Sequence, residues 1–201
     1  MSVERPEKSD KRAQILDAAL EVFSRKGVFA TRIADIASEA GIAYGLVYHY
    51  FKNKEEVLNT IFEERWARVT ELLEAAEKEG DDAAARLRGV ARVFLSSYQR
   101  RPQVVELLLL EFTRMSKFLE PTQIEAVGRA FDVVTRIIER GQAEGQLRAD
   151  IPPGLLMLVF LGGLQHILQT QVLGTFRAPA GFESRGPEVL VDAFINGVGA
   201  T

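Results

Sequence analysis

The sequence contains no cysteine, two histidines and a single tryptophan among 201 residues. Without cysteine there can be no disulfide, thiolate metal site or cysteine nucleophile. Strands are not predicted, because β-branched and polar residues nowhere alternate for more than a few positions. The longest hydrophobic run, 154–164, is too short to span a bilayer. The polar N-terminus has no apolar segment typical of a secretory signal, so we expect a cytoplasmic protein.

Residue patterns that support catalysis are equally scarce. The two histidines, His49 and His166, lie far apart in the sequence. There is neither a paired-carboxylate motif nor a glycine-rich phosphate loop after a strand. We therefore predict no catalytic residue, no metal site and no cofactor, and an α-helical enzyme is the less favoured alternative.

Helical spacing of apolar residues is present almost throughout the chain. Hydrophobic residues make up 47% and charged residues 26% of the sequence, which is typical of a globular protein with a buried core. Glycine, proline and capping residues divide the chain into about nine predicted helices, which are longer beyond Gly80 than before it. The sequence therefore predicts an all-α fold.

Charge is unevenly distributed along the chain. Residues 1–54 carry nine Lys and Arg against seven Asp and Glu, whereas residues 55–201 carry 16 basic and 21 acidic residues. A mildly basic N-terminal part on an acidic remainder is compatible with nucleic-acid binding confined to one end.

Two short predicted helices, 32–40 and about 43–51, are joined by a tight turn at Gly41. This is the pattern of a helix-turn-helix. In the second helix, Leu46, Val47 and Tyr50 are spaced to reach a core, and the opposite face is aromatic and rich in hydroxyl groups. Such a face suits a recognition helix in the major groove of DNA. Its outer residues are Tyr44, Gly45, Tyr48 and His49.

Several side chains around this motif are suitable donors to DNA phosphates. Tyr48 and His49 lie on the outer face, and Lys54 starts the next helix. Thr31 and Arg32, at the start of the first short helix, offer a hydroxyl group, backbone N–H groups and a helix dipole. The structural alternatives are a core position for Tyr48 and a plain surface position for His49.

The run GIAYGLVYHYFKNKEEVL at 41–58, with TRIADIASEAGI before it and ILDAALEVFSRKG near the N-terminus, closely resembles the DNA-binding head of the TetR family of repressors. The resemblance covers roughly residues 10–60. It implies a helix-turn-helix DNA-binding domain over 1–54 and a ligand-binding and dimerisation domain over 55–201. It also implies a homodimer that binds a pseudo-palindromic operator until a small molecule releases it.

The resemblance assigns roles to individual positions. One departure is Ala43, where the family usually has a polar helix cap. A missing cap costs about 1 kcal/mol and removes one phosphate contact. The family's base-reading positions correspond here to Tyr44, Gly45 and Leu46, and its backbone-contacting positions to Thr31, Tyr48, His49 and Lys54.

The C-terminal two-thirds of the chain supply aromatic and methionine residues at helical spacing. The segment 104–112 is apolar on nearly all sides, and Gln165 and His166 interrupt an apolar helix, a composition typical of ligand pockets. The alternative is an ordinary helical core, with His166 as an interior or interface residue. The predicted ligand contacts are Phe94, Tyr98, Leu108, Phe112, Met115, Phe131, Met157, Phe160, Gln165 and His166.

Two features of the last helices indicate self-association. The pair Gly162-Gly163 would allow close approach of two helices, and the final helix has an apolar stripe that needs a partner. In the TetR family these helices form a four-helix bundle across the dimer axis, which would place two recognition helices about 34 Å apart. The interface that the resemblance implies consists of Gly162, Leu164, Leu168, Val172, Leu190 and Phe194.

The segments VELLLLEFTRMSKFLE and LGGLQHILQTQVL further resemble TetR-type regulators of fatty-acid degradation, which respond to long-chain acyl-CoA. An acyl-type effector is one expectation, and a flat aromatic or drug-like molecule is the other. A continuous apolar stripe from Leu58 to Ala76 predicts that the fourth helix transmits ligand binding to the head. The alternative to a repressor is a helical dimeric adaptor or activator with the same head.

Overall fold

The computed structural model of the chain describes residues 7–100, 102, 104–107, 121–175 and 182–198. Within these residues there are helices and no β-strand, which confirms the all-α prediction. A short segment, 104–107, is also helical. The helices with defined bounds are α1 (Glu7–Lys26), α2 (Ile33–Glu39), α3 (Tyr44–Tyr50), α4 (Lys54–Glu79), α5 (Ala83–Arg100), α6 (Pro121–Ala143), α7 (Pro153–Val172) and α8 (Phe182–Val198).

The first three helices and the beginning of α4 form a small head with its own core. Gly27, with a φ of +76°, follows the last residue of α1, and its N–H donates to the Phe23 carbonyl (2.8 Å). Ile36 of α2, Val47 of α3 and Val57 of α4 are all fully buried in the head core. Because this core includes Val57, the head extends into α4 beyond the predicted boundary at residue 54.

The long helix α4 belongs to two cores. It follows Asn53, whose side-chain oxygen accepts a hydrogen bond from the Glu56 N–H (2.8 Å). Glu55 and Glu56 lie in the first turn of α4, where the helix dipole stabilises their negative charge. Ile61 packs in the head core, whereas Leu73 is fully buried in the core of the second part of the molecule. α4 therefore connects the head to the remaining helices, as its apolar stripe predicts.

The remainder of α4 and helices α5 to α8 form the body. Its core contains Ile138 of α6 and Phe160 of α7, both at 1% exposure or less. The segment 104–107 packs back onto the head, since Val104 and Leu107 belong to the head core. Head and body are therefore joined through this segment as well as through α4.

A buried arginine lies at the end of the body, where α4 meets α5. Arg86 is 2% exposed; its Nε donates to the Gly80 carbonyl (3.0 Å), and its Nη1 lies 3.6 Å from the Glu144 carboxylate. These contacts hold the turn between α4 and α5 against the end of α6.

α7 has two apolar sides. One side is buried in the body, and the other is exposed. Leu156, Phe160 and Leu164 face the body core, and the opposite side is open. By length and composition alone this helix could cross a membrane, and 33% of its apolar stretch is buried inside the body. We call the open side the outer stripe. It consists of the exposed residues Leu155, Leu158, Val159, Gly162, Gly163 and His166.

Candidate DNA-binding surface and ligand cavity

Residues 40–43 form the turn between α2 and α3. Gly41 has a φ of +62°, in the left-handed region that favours glycine. The next N–H, that of Ile42, donates to the Ala37 carbonyl (3.0 Å). Ala43 precedes α3, and its side chain makes no capping hydrogen bond. The two helices thus form the helix-turn-helix that their spacing predicts.

α3 buries one face and leaves the other open. Val47 is fully buried, and Leu46 and Tyr50 are half-buried. On the opposite side, Tyr44 and Tyr48 are 53% and 47% exposed. Because the head core is complete without these tyrosines, their rings are available to another molecule.

Tyr44 and Tyr48 form a pair on this open face. Their hydroxyl oxygens are 3.1 Å apart, and their rings meet edge to face with centroids separated by 5.2 Å. The hydrogen bond with Tyr44 raises the pKa of the Tyr48 hydroxyl above its ordinary value. A tyrosine hydroxyl is protonated at neutral pH even without this shift, so Tyr48 can donate a hydrogen bond. The spacing of Tyr44 and Tyr48, four residues or one helical turn, is visible in the sequence.

Gly45 and His49 complete the open face of α3. A Cβ atom added at Gly45 would meet no atom within 4 Å, so the space above the backbone is unfilled. His49 is exposed, and its ring lies 5.2 Å from that of Tyr50. Without a side chain at Gly45, a partner can approach the backbone of α3 closely.

Thr31 and Arg32 differ from the sequence expectation. Thr31 is 2% exposed and its hydroxyl donates to the Gly27 carbonyl (2.8 Å), so the predicted phosphate contact of this hydroxyl is contradicted. The backbone N–H of Arg32 donates to the Asp35 carboxylate (2.9 Å), which leaves the exposed Arg32 side chain to reach a phosphate. Hydrogen bonds from Lys26 and from this N–H lower the pKa of Asp35.

Lys54 also has a role inside the head. Its Nζ donates to the carbonyls of Val28, Phe29 and Thr31 at 2.9, 3.1 and 3.1 Å. An ammonium group has three donors, so all of them are occupied. This geometry contradicts the predicted phosphate contact. Lys54 instead ties the start of α4 to the loop between α1 and α2, a contact that depends on how the loop folds back.

A cavity of about 300 Å³ lies between α4, α5, α6 and α7, with Val104 and Val105 closing part of its wall. This volume is at the small end of the roughly 300–1,000 Å³ typical of ligand sites. Most of the wall is apolar. The residues that line it are Arg65, Trp66, Arg68, Val69, Leu72, Phe94, Ser97, Arg100, Val104, Val105, Val127, Phe131, Leu161, Leu164, Gln165 and Leu168.

The structure brings three of the predicted ligand contacts to this cavity: Phe94, Phe131 and Gln165. The contribution of α4 to the cavity, including Trp66 and Leu72, is not among the sequence predictions. The apolar spacing of this helix is the available signal, but it fits equally well a helix that only connects two bodies.

The other predicted ligand contacts lie elsewhere. Met157 and Phe160 are buried in the body core without lining the cavity, and Tyr98 is half-buried against that core. His166 is exposed on the outer stripe. Three remaining contacts lie outside the described residues: Leu108, Phe112 and Met115.

The predicted interface residues of α7 divide in the same way. Gly162 is exposed on the outer stripe. Leu164 and Leu168 are 1% and 3% exposed and line the cavity, so their side chains face the interior of the protomer and not its surface. The predicted interface role of these two residues is therefore contradicted. Val172 is half-buried near the end of the helix.

On α8 the predicted interface residues support the protomer itself. Leu190 and Phe194 are half-buried against the body core, and the ring of Phe194 lies 5.2 Å from that of Phe160. Among the side chains of this helix that the structure describes, Val189 and Ala193 are apolar and exposed.

Two family models match the chain. The model for bacterial regulatory proteins of the tetR family matches residues 15–61, which span the head. The model for the tetracyclin repressor-like C-terminal domain matches residues 84–180 in the body.

Individual relatives match over most of their length. The fatty acid metabolism regulator protein of Bacillus subtilis is 27% identical over 167 residues, covering 83% of this chain and 86% of the relative. The HTH-type transcriptional repressor NicS of Pseudomonas putida is 32% identical over 154 residues, covering 73% and 71%. The crystal structure of FadR from Bacillus subtilis in complex with stearoyl-CoA has the same fold, with a TM-score of 0.80 at 23% identity over 92% of this chain and 98% of that one.

Proposed function

The chain belongs to the TetR family of bacterial regulatory proteins, and we propose that it is a cytoplasmic repressor. In this proposal it binds a pseudo-palindromic operator as a homodimer. It leaves this DNA when a small effector fills the cavity. The observation that carries this proposal is the open face of α3, presented by a folded helix-turn-helix. A mostly apolar cavity lies against α4, the helix that joins head and body.

In this proposal the open face of α3 enters the major groove. Tyr44 reads base edges, and Gly45 allows the backbone to come close to them. Leu46 is half-buried and offers its exposed edge for apolar contact. Tyr48 and His49 contact phosphates on either side. The exposed side chain of Arg32 contributes a further phosphate contact.

The proposed homodimer forms through the outer stripe. Leu155, Leu158 and Val159 are each more than half exposed, which is unusual for large aliphatic side chains lying in a row. Gly162 and Gly163 follow on the same side, and neither has an atom within 4 Å of an added Cβ. A second copy of the same stripe fits this surface, because a two-fold contact pairs identical patches.

The effector that we propose has a long apolar part, as in an acyl group. The fold relative from Bacillus subtilis binds stearoyl-CoA, and the apolar wall of the cavity here supports a ligand of that class. A flat aromatic molecule is the second candidate, because the rings of Trp66, Phe94 and Phe131 line the cavity.

Ligand binding is coupled to the head through α4 in this proposal. Ile61 packs in the head core, and the cavity-lining residues Trp66 and Val69 follow within the next turns of the same helix. A ligand that favours the state unable to bind DNA shifts this helix and thereby the spacing of the two recognition helices. Couplings of this type amount to about 1–3 kcal/mol.

The test is fluorescence anisotropy with the duplex from upstream of the protein's own gene, at a stated salt concentration. We expect Tyr44→Ala to weaken operator binding by at least roughly tenfold while binding to random duplex changes little, because one base contact is lost in each of the two half-sites. Phe29→Ala is the matched control, since Phe29 is an aromatic residue with 78% exposure that lies outside α3.

Three outcomes separate the alternatives. Equal operator affinity of Tyr44→Ala and parent would refute base reading by α3. A parent protein with no preference for its upstream duplex over random DNA would favour the adaptor. In vitro transcription from that promoter distinguishes a repressor, which lowers the transcript level, from an activator, which raises it.

A further inference from the structure

Among the described residues, the wall of the cavity carries positive charge but no negative charge. Arg65 and Arg68 of α4 and Arg100 of α5 line it, and none of the described lining residues is an Asp or a Glu. Ser97 and Gln165 add uncharged polar side chains to the wall. Guanidinium groups at the edge of an apolar space are well suited to bind a carboxylate or a phosphate, because they offer several donors in one plane.

Two of these arginines also face the head. The Nη2 atom of Arg65 lies 3.7 Å from a carboxylate oxygen of Asp17 in α1. Arg100 lines both the cavity and a second space, the groove between α1 and the body, where Asp10, Asp17 and Glu21 lie. Arg65 and Arg100 are therefore located between the ligand cavity and the acidic side of α1.

Arg68 differs from the other two. It pairs with Glu71 on its own helix at 2.7 Å, and its side chain is 66% exposed. It adds positive potential at the cavity without a contact to the head.

We propose that the effector is an anionic amphiphile whose apolar chain fills the cavity and whose carboxylate or phosphate binds Arg65 and Arg100 in competition with the carboxylates of α1. The inference rests on the proposed function, since it concerns the same effector cavity. It adds the charge of the ligand and identifies the side chains through which that charge reaches the head.

The competition favours the ligand for a physical reason. The pair between Arg65 and Asp17 is long and partly exposed, so it is weak and screened by salt. An anion whose chain is already bound in the cavity has a high effective concentration at the arginines. Once both arginines turn to the ligand, α1 loses its attraction to this part of the body, and the affinity for the operator falls by linkage.

The single tryptophan, Trp66, lines the cavity, so the intrinsic fluorescence of the full-length protein reports ligand binding directly. The probes are laurate, lauroyl-CoA and dodecanol, which share one chain length, each used below its critical micelle concentration. We expect at least one of the two anions to bind roughly tenfold more tightly than dodecanol. The tighter anion identifies a carboxylate or a phosphate as the group that is recognised.

Variants test the assignment of the arginines. Arg65→Gln and Arg100→Gln are expected to abolish the preference for the anion, because they weaken anion binding far more than dodecanol binding, whereas Arg100→Lys retains part of the preference. Arg129→Gln is the control: Arg129 is exposed on α6, a helix of the cavity wall, but does not line the cavity. Asp17→Asn removes a competing carboxylate and should strengthen anion binding, an effect that a purely structural role of Arg65 would not produce.

The outcomes separate this inference from the proposed function. If dodecanol binds as tightly as both anions and the arginine variants behave like the parent, the cavity is a ligand site but the anionic ligand is refuted. If no probe changes Trp66 fluorescence or releases the operator, the effector cavity itself is refuted. Release of the operator by the tighter anion, weakened in Arg65→Gln and Arg100→Gln, supports both.

Discussion

Polar residues of the head divide into those that hold it together and those that face outwards, and their positions in the sequence do not distinguish the two groups. Thr31 and Lys54 occupy positions that the family resemblance assigns to phosphate contact, yet both bond to carbonyls of the loop between α1 and α2. Tyr44 and Tyr48 face outwards as the helical spacing predicts. Spacing determines the face of a helix, but it does not determine where a neighbouring loop places its carbonyls.

The Lys54 contacts lead to a specific expectation for Lys54→Met. Three carbonyl oxygens lose their ammonium donor, so the free energy of unfolding should fall by about 1–3 kcal/mol. The slope of log Kd against log salt for random duplex should stay that of the parent, because no phosphate contact is removed. Urea denaturation and anisotropy at several salt concentrations measure the two quantities.

Lys52→Met provides the comparison, because Lys52 is exposed just before the Asn53 cap and its side chain makes none of these carbonyl contacts. It should unfold like the parent. If Lys54→Met has parental stability and a reduced salt slope, Lys54 contacts a phosphate after all, and its internal role is contradicted.

Among the helices, those with a clear apolar stripe were predicted well from the sequence. The stripe of α4 from Leu58 onwards indicated a helix shared by two bodies, and α4 does contribute to both cores. The cavity was harder to predict, because a lining residue such as Val69 and a core residue such as Leu73 have the same apolar character. Only the packing of α5, α6 and α7 determines which of them faces the empty space.

The start of α3 is the element for which the sequence indicated a defect. Ala43 has a φ of −64° and a ψ of 137°, the extended conformation of an N-cap residue, but its side chain has no acceptor. Ala43→Ser should therefore stabilise the protein by about 0.5–1 kcal/mol, because the serine oxygen can accept from an N–H of the first turn. The urea midpoint of the full chain measures the gain.

The same substitution at Ala67, which is exposed in the middle of α4, is the matched control. There the backbone N–H groups are already bonded within the helix, so a serine has none to cap, and its lower helix propensity should cost a few tenths of a kcal/mol. Equal effects of Ala43→Ser and Ala67→Ser would mean that the first turn of α3 is already satisfied without a cap.

For the molecule as a whole, the outer face of α7 could not be predicted from the sequence. Its residues are apolar at almost every position from Leu155 to Leu164, so apolar periodicity does not distinguish one side from the other. The family resemblance assigns Leu164 and Leu168 to the interface, and the sequence pattern offers nothing to correct it, although both residues line the cavity. The fold resolves this ambiguity, because α6 covers one side of α7 and leaves the outer stripe uncovered.

The outer stripe leads to a prediction about assembly. In a two-fold dimer the central residue of one stripe lies near its own copy, so Leu158→Glu would bring two carboxylates together in an apolar contact. We expect the dimer affinity to fall on the order of a hundredfold or more. Size-exclusion chromatography with light scattering should then detect a monomer at micromolar concentration, and operator binding should weaken because the two half-sites are no longer bound together.

Ile124→Glu separates this effect from a general loss of stability. Ile124 is 57% exposed, closely similar to the 56% of Leu158, but it lies near the start of α6 and away from the outer stripe. A glutamate there should leave the dimer intact. Because Leu158 already faces outwards, its substitution should not unfold the protomer, so a folded Leu158→Glu dimer with parental affinity would show that the chain associates through another surface.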